Sequence, residues 1–101
     1  MGIIAKSTLK EFIRSYPDSE NALDNWYDIT KQNDWKNFNE IKKSFNSVDS
    51  VGNDRYIFNI KGNHYRLIAL IFFKVRTVFI LFIGTHKEYD LIDASRITFK
   101  N

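Results

Sequence analysis

The spacing of hydrophobic residues divides the chain into a helical first half and a strand-forming second half. In the first half, apolar residues recur at intervals of three and four, the period of a helix that buries one face. The pattern predicts three helices, one to about Tyr16, one that follows Asp18 or Ser19 and ends near Gln32, and one within Trp35 to Phe45. The short apolar segment before them, Gly2 to Ala5, is expected to be an edge strand.

The expected helix ends follow from residues that offer or lack hydrogen-bonding groups. Ser7 or Thr8 can cap the first helix, because a hydroxyl just before a helix accepts from free backbone NH groups. Pro17 lacks a backbone donor and separates the first helix from the second. Asp18 or Ser19 can then cap the second helix by the same rule.

The second half of the chain has the patterns of strands and tight turns. Three antiparallel strands are predicted after a segment of turn formers, Asn46 to Asn53, and they span Arg55 to Ile60, Tyr65 to Lys74 and Thr77 to Ile83. Gly62 and Asn63 are expected to adopt the positive φ angles of a tight hairpin, and Arg76 marks the second turn. Residues 87–94 predict a short helix, and Ile97 and Phe99 are candidates for a last strand.

The two later strands are apolar on both faces in their middle, which is typical of strands covered on both sides. We expect the helices to cover one face, and an extra segment or a partner protein to cover the other. Helices followed by an antiparallel meander predict an α+β fold, with the N-terminal helices packed on one face of a mostly antiparallel sheet. At 101 residues the chain is expected to form a single domain, residues 1–101.

Composition narrows the class of protein. Hydrophobic residues make up 44% of the chain, which argues against disorder, and the absence of cysteine excludes a disulfide framework. No apolar run approaches the roughly 20 residues of a membrane span, and the N-terminus lacks a secretory signal. A cytoplasmic location without membrane association is therefore expected.

The net charge of +3 is unevenly distributed. Residues 1–53 hold 7 Lys and Arg against 8 Asp and Glu, whereas residues 54–101 hold 8 against 4. The positive field thus lies on the strand-forming half, as a surface that binds RNA or an acidic partner would require, although ordinary surface scatter gives the same count.

Candidate chemistry lies where the third strand ends, in the segment GTHKEYD from Gly84 to Asp90. His86, Lys87 and Tyr89 bring an imidazole, an amine and a phenol to this point. With a turn near Arg76, Arg66 on the neighbouring strand should lie opposite His86. A single histidine is more often structural or simply exposed, so this set is weighed against that simpler interpretation.

These four side chains suit metal-free cleavage of RNA. That reaction needs a base for the 2′-hydroxyl proton, cations for the charge on phosphate, and an acid for the departing 5′-oxygen. His86 is the candidate base or acid, Arg66 and Lys87 would stabilise the charge, and Tyr89 would donate a hydrogen bond or stack on a base. Further basic residues expected to contact RNA are Arg55, Lys61, His64, Arg76 and Arg96. No metal site and no cofactor are expected, because His, Asp and Glu are too few at ligand-like spacing.

Two segments, FNIKGNHYRLI from Phe58 to Ile68 and FIGTHKEYD from Phe82 to Asp90, resemble the HigB family of type II toxin-antitoxin toxins, within the RelE-like group. The order of the parts matches over nearly the whole chain. The resemblance implies a RelE-like fold and a ribosome-dependent mRNA endonuclease, with active-site positions at Arg66, His86, Lys87 and Tyr89. It also implies a HigA-like helix-turn-helix antitoxin that neutralises the toxin and carries it to operator DNA.

The chain departs from this pattern on the strand before GTH, where relatives often carry a basic residue and this chain has Phe79-Ile80-Leu81-Phe82. Fewer cations imply little cleavage of free RNA, so the ribosome would help to position the substrate. Two other functions compete with the nuclease. One is a non-catalytic module that binds RNA or protein through the basic sheet face, and the other is a structural subunit of an obligate complex.

Overall fold

The computed structural model describes residues 1–98, which form a five-stranded sheet with the three N-terminal helices on one face. The strands are β1 Gly2–Ile4, β2 Val48–Gly52, β3 Arg55–Ile60, β4 Tyr65–Phe72 and β5 Thr77–Thr85. Their order across the sheet is β1-β5-β4-β3-β2. Only β1 runs parallel to its neighbour, β5, and the other three pairings are antiparallel. The expected α+β fold class and the edge strand at the N-terminus are confirmed.

The helices are α1 Lys6–Ser15, α2 Glu20–Gln32, α3 Phe38–Ser44 and the short α4 His86–Asp90. Turns of 3-10 helix lie at Pro17–Ser19, between α1 and α2, and at Phe73–Val75, between β4 and β5. None of the helices within residues 1–98 combines the length and apolar character needed to cross a membrane. All four predicted helices are therefore present, with boundaries that differ by a few residues.

The predicted helix caps are partly wrong. α1 begins at Lys6 directly after β1, with Ala5 at the N-cap and no side-chain cap, so Ser7 and Thr8 lie inside the helix. Ser19 does occupy the N-cap of α2, but its hydroxyl donates to the carbonyl of Tyr16 instead of capping the helix. That bond closes the turn between α1 and α2. The spacing of residues in the sequence does not distinguish a turn-closing serine from a capping one.

The segment from residue 46 to 53, predicted as turns, contains the edge strand β2. Val48 is its one buried residue, and the strand pairs with β3 through a bulge between Ser50 and Gly52. Gly52, Asn53 and Asp54 then adopt positive φ angles, which closes a tight turn into β3. An edge strand needs only one side of its backbone ladder paired, so a polar sequence with little β-propensity suffices here.

The two faces of the sheet carry separate hydrophobic clusters. The main core joins the sheet to the helices, and its fully buried members include Leu23, Trp26, Phe58, Leu67 and Ile71. A smaller second cluster lies on the other face, where the chain after β5 covers the sheet. Its members are Val51, Ile57, Ile68, Leu81, Phe82, Tyr89, Ile92, Ala94 and Ile97. The expected extra segment thus belongs to this chain itself, at least over this part of the face.

Ile97 packs in this second cluster and belongs to no strand, so the predicted last strand is wrong for that residue. Phe99, the other residue of that predicted strand, lies outside the described residues. The covering segment is held instead by Arg55, whose guanidinium donates two hydrogen bonds, of 2.7 and 3.1 Å, to the carbonyl of Ile97.

The register of β4 and β5 also differs from the sequence expectation. Arg66 pairs with Gly84, and not with His86. The connection is a 3-10 turn closed by Arg76 in the left-handed conformation, which places the centre of the hairpin before Arg76 instead of on it. A bulge between Ile68 and Ala69 then moves the partner of Arg66 one residue back toward His86, from Ile83 to Gly84.

A polar clamp fixes the β3–β4 hairpin to the break between α1 and α2. The hydroxyl of Tyr65 donates to Oδ1 of Asp18 at 2.6 Å, and Nζ of Lys61 lies 2.9 Å from Oδ2. Lys61 and Gly62, and not the predicted Gly62 and Asn63, carry the positive φ angles of the turn.

The hydrogen bond from Tyr65 lowers the pKa of Asp18 below its usual 3.8, and the same bond raises the pKa of Tyr65 to about 12. A lowered carboxyl pKa contributes stability above pH 3.8 that is lost as the pH falls through the folded value. A raised phenol pKa contributes stability below pH 10.0 that is lost as the pH rises toward 12.

Replacing Asp18 with Asn should therefore flatten the acid limb of the stability profile, below about pH 4, because the variant has no carboxylate to protonate. Thermal unfolding followed by fluorescence of the buried Trp26 and Trp35 measures this. Tyr65→Phe should flatten the same limb, whereas Tyr27→Phe on α2 should keep the wild-type profile. An acid limb of Asp18→Asn as steep as that of the wild type would contradict the clamp.

Candidate active site

The end of β5 passes directly into α4, and a capping box fixes the junction. Thr85 is the N-cap residue, and its hydroxyl accepts from the backbone NH of Glu88. The carboxylate of Glu88 in turn accepts from the backbone NH of Thr85 at 2.9 Å. Both free donors are thereby satisfied, so this five-residue helix has a defined start despite its length.

Gly84 allows the helix to lie close to the sheet. A Cβ at this position would lie 2.5 Å from Cζ of Phe82 and 3.2 Å from Cβ of Glu88. Only a residue without a side chain therefore lets the Phe82 ring and α4 pack together over the end of β5. The position of every side chain on α4 depends on this contact.

Arg66 and Tyr89 are in direct contact. The guanidinium carbon of Arg66 lies 4.6 Å from the centroid of the Tyr89 ring, within the range of a cation–π interaction. Tyr89 is half-buried in the second cluster, so its ring is held by apolar packing behind the contact. Nε of Arg66 is buried and has no hydrogen-bond partner within residues 1–98.

His86 and Lys87 are the first two residues of α4. His86 is half-buried, and its Nε2 is buried without a hydrogen-bond partner in the described part of the chain. Lys87 is exposed and forms no ion pair among residues 1–98. The structure therefore brings Arg66 and Tyr89 into contact, and His86 and Lys87 follow the pairing partner of Arg66 by two and three residues.

Two of the five further residues expected to contact RNA lie at the same end of the sheet. Lys61 and His64 belong to the β3–β4 turn, and Tyr65, which follows it, pairs with Thr85 at the start of α4. The amine of Lys61 is committed to Asp18, and Nδ1 of His64 lies 2.8 Å from the carbonyl of Lys61. Both residues are exposed beside the site, but each already has an internal partner.

Arg55, Arg76 and Arg96 lie elsewhere, and each is bound internally. Arg55 donates to the carbonyls of Asn53 and Ile97. Arg76 pairs with Asp34 at 2.7 Å, and Arg96 lies 3.6 Å from Asp93. Arg76 precedes the nine residues of β5, so it is roughly 30 Å along the strand from Thr85, at ~3.3 Å per residue. The structure thus places Arg76 far from the site and gives Arg55 and Arg96 internal partners.

Two features of the site were missed from sequence. Thr85 and Glu88 have the T-x-x-E spacing of a capping box, so the start of α4 could have been predicted at His86. Asn59 pairs directly with Arg66, and its Oδ1 is buried without a hydrogen-bond partner among residues 1–98. The only signal for Asn59 was a polar residue on the strand face that also carries Ile57.

The arrangement can bind an anion and transfer protons. Arg66 and Lys87 are cations without an internal anionic partner in the described residues, and an imidazole lies beside them. Guanidinium and ammonium groups stabilise charge on phosphate, and imidazole exchanges protons near neutral pH. The fold and site define a small α+β domain with two cations, unpaired within residues 1–98, and an imidazole at one end of its sheet.

Comparison with known proteins supports this description. Residues 19–92 match the family model HigB_toxin, described as the RelE-like toxic component of a toxin-antitoxin system. The chain is 34% identical over 92 residues to an mRNA interferase HigB of Escherichia coli O6:H1, which covers 89% of both chains. It is 30% identical over 96 residues to the mRNA interferase toxin HigB of Escherichia coli K12, with 93% of this chain and 92% of the relative covered. The chain belongs to the HigB family of RelE-like toxins, as its sequence motifs suggested.

Replacing Gly84 with Ala should displace the Phe82 ring and α4, and should destabilise the fold by about 1–3 kcal/mol, the usual cost of overpacking. Urea unfolding measures the free energy. Gly2→Ala is the matched control, because a Cβ there meets only the carbonyl of Arg76 at 3.7 Å. Equal stability of the Gly84→Ala variant and the wild type would show that α4 does not rest on this contact.

Proposed function

We propose that this toxin is an mRNA interferase, a ribosome-dependent endonuclease that cuts messenger RNA and stops translation. The observation that carries the proposal is the cluster of Arg66, Lys87 and His86, which have no internal hydrogen-bond or ion-pair partners in the described chain. The other basic residues of the predicted site have internal partners, whereas Arg66 and Lys87 have none within residues 1–98 that would compete with a bound phosphate. The printed names of the relatives, mRNA interferase HigB, support the same activity.

The proposed reaction is an attack of the ribose 2′-oxygen on the adjacent phosphorus, with breakage of the bond to the 5′-oxygen. The products are a 2′,3′-cyclic phosphate and a 5′-hydroxyl. His86 serves as the base for the 2′-hydroxyl proton or as the acid for the leaving oxygen. Glu88 takes neither role, because its carboxylate is engaged in the capping box.

Charge stabilisation falls to Arg66 and Lys87. Negative charge increases on the phosphate oxygens as the 2′-oxygen attacks, and fixed cations favour that state over the ground state. Tyr89 supports the reaction through its ring, because the ring orients the guanidinium of Arg66. These roles require no metal ion.

The ribosome enters the proposal because the site supplies few cations of its own. Arg66 and Lys87 have no ion-pair partner among residues 1–98, and the β5 segment that leads to Lys87 is apolar. A substrate held in the decoding site would arrive already oriented, which lowers the entropic cost of the reaction. We therefore expect slow cleavage of free RNA and faster cleavage of RNA on translating ribosomes.

The family implies an antitoxin, and we propose a HigA-like helix-turn-helix protein in this role. The toxin would reach operator DNA only through this partner. Co-expression with the neighbouring gene product should restore growth and should retain that product on the tagged toxin. Unchanged toxicity in the presence of the neighbouring product would remove it as the partner.

A non-catalytic module that binds RNA through the basic sheet face is the alternative. In its favour, the ion pairs of Lys61, Arg76 and Arg96 are exposed surface pairs, which are weak, so these cations stay available to phosphate. The two functions differ in product, because a nuclease creates new 5′ ends on ribosome-bound RNA and a binding module only protects the RNA.

His86→Ala and Lys87→Ala should each abolish growth arrest and lower the cleavage rate on translating ribosomes by roughly a hundredfold or more, the usual contribution of a proton-transfer or charge-stabilising group. Primer extension of ribosome-bound mRNA measures cleavage. Lys74→Ala, an exposed lysine in the β4–β5 connection, should remain toxic. Full toxicity of a folded His86/Lys87 double variant would reject the assigned site.

Tyr89→Phe and Tyr89→Ala should separate two roles of the phenol. If the ring acts by holding Arg66, the Phe variant retains the contact and most of the cleavage rate, whereas the Ala variant loses both. Single-turnover cleavage on ribosomes measures the difference. A Phe variant as inactive as the Ala variant would instead assign the hydroxyl to proton transfer.

A further inference from the structure

Asn59 lies beside the site on β3, within the segment from Phe58 to Ile68, but it is not among the four residues assigned to the active site. It pairs directly with Arg66 on β4, so both side chains project from the same face of the sheet. Directly opposed residues of antiparallel strands have Cβ atoms about 4.5–5.5 Å apart. The amide of Asn59 is therefore within reach of the guanidinium of Arg66.

The hydrogen bonds of Asn59 fix which end of its amide is available. Nδ2 donates to the hydroxyl of Ser47, in the segment that precedes β2. Oδ1 is buried and has no partner among the described residues. The carbonyl end of the amide is thus held inside the protein, pointing away from Ser47, without a donor.

Arg66 carries a buried donor that lacks an acceptor among the described residues, as Asn59 carries a buried acceptor that lacks a donor. Its Nε–H is buried and has no acceptor within residues 1–98, and one face of its guanidinium lies on the Tyr89 ring. A buried acceptor and a buried donor on directly paired residues are both costly while they stay unpaired. A small movement of the Arg66 side chain would satisfy both.

We propose that Asn59 is a positioning residue for Arg66, with its Oδ1 accepting a hydrogen bond from the Arg66 Nε–H when an anion binds. Tyr89 fixes the plane of the guanidinium, and Asn59 fixes its rotation within that plane. The two terminal nitrogens then face outward and can donate together to two phosphate oxygens. This inference rests on the proposed function only in naming mRNA as the source of the phosphate.

The bond is expected to form fully only with the anion present. Hydrogen bonds of a catalytic site are often long or misaligned in the free protein and tighten in the substrate complex. A purely structural role for Asn59 would instead consist of its bond to Ser47, which ties the segment before β2 to β3. The two roles differ, because only the first acts through Arg66.

Single-turnover cleavage on translating ribosomes tests the positioning role. Asn59→Leu keeps the size of the side chain, and should lower the cleavage rate by roughly tenfold to a hundredfold, the effect of one charge-assisted hydrogen bond, with ribosome affinity within about threefold of wild type. Asn39→Leu, at an exposed position on α3, should cleave normally. Ser47→Ala should lower the unfolding temperature and leave the cleavage rate close to that of the wild type.

A wild-type cleavage rate in Asn59→Leu, or an equal loss of rate in Ser47→Ala, would overturn the inference. A wild-type chain that cleaves no RNA would instead overturn the proposed function, and a second measurement still decides the role of Asn59. Nitrogen-15 NMR of the whole protein in inorganic phosphate should show the Arg66 Nε–H exchanging at least about tenfold more slowly than in Asn59→Leu. Asn59→Asp, which keeps an acceptor, should retain that protection. Equal exchange in the wild type and in Asn59→Leu contradicts the bond.

Discussion

The close approach of α4 to the end of β5 is the contact on which the site depends. Gly84 leaves no room for a side chain between Phe82 and Glu88, and the capping box at Thr85 starts the helix immediately afterwards. These two local constraints fix where the helical side chains project. Arg66, which pairs with Gly84 from the adjacent strand, then meets Tyr89 without any long loop between them.

The two faces of the sheet have different roles. One face is packed against the helices in a core with fully buried aromatic and aliphatic residues, which supplies most of the stability. The other face carries a smaller cluster at its centre and the polar residues Asn59 and Arg66 toward one end. Chemistry is thus built on the face that is less needed for folding, next to a scaffold that keeps it rigid.

Much of the architecture was accessible from sequence because it follows from periodicity. Helical spacing identified α1, α2 and α3, alternation identified β3, and apolar runs bounded by turn residues identified β4 and β5. The edge strand β2 was missed since edge pairing demands little of side chains. The register of Arg66 was misplaced because a 3-10 turn moves the centre of the hairpin, which a bulge offsets by only one residue. Both errors concern backbone hydrogen bonding, which no side-chain pattern encodes directly.

For the site, sequence motifs selected Arg66, His86, Lys87 and Tyr89; the structure shows Arg66 in contact with Tyr89, and His86 and Lys87 at the start of the same short helix. Charge counting was less informative. It treated all cations of the second half alike, although Arg55, Arg76 and Arg96 are bound to internal oxygens. Whether a cation is free depends on tertiary partners, and these are distant in sequence, as for Arg55 and Ile97.

Tyr89 belongs to two assemblies at once, since its ring packs in the second cluster and also carries the guanidinium of Arg66. The contact of Arg66 with the Tyr89 ring therefore lasts only while the segment after β5 stays packed on the sheet. That segment is secured by a few apolar contacts and by the bonds of Arg55, far fewer than those of the main core. Mild chaotropes or warming would thus inactivate the toxin by local detachment, well before the helical layer melts.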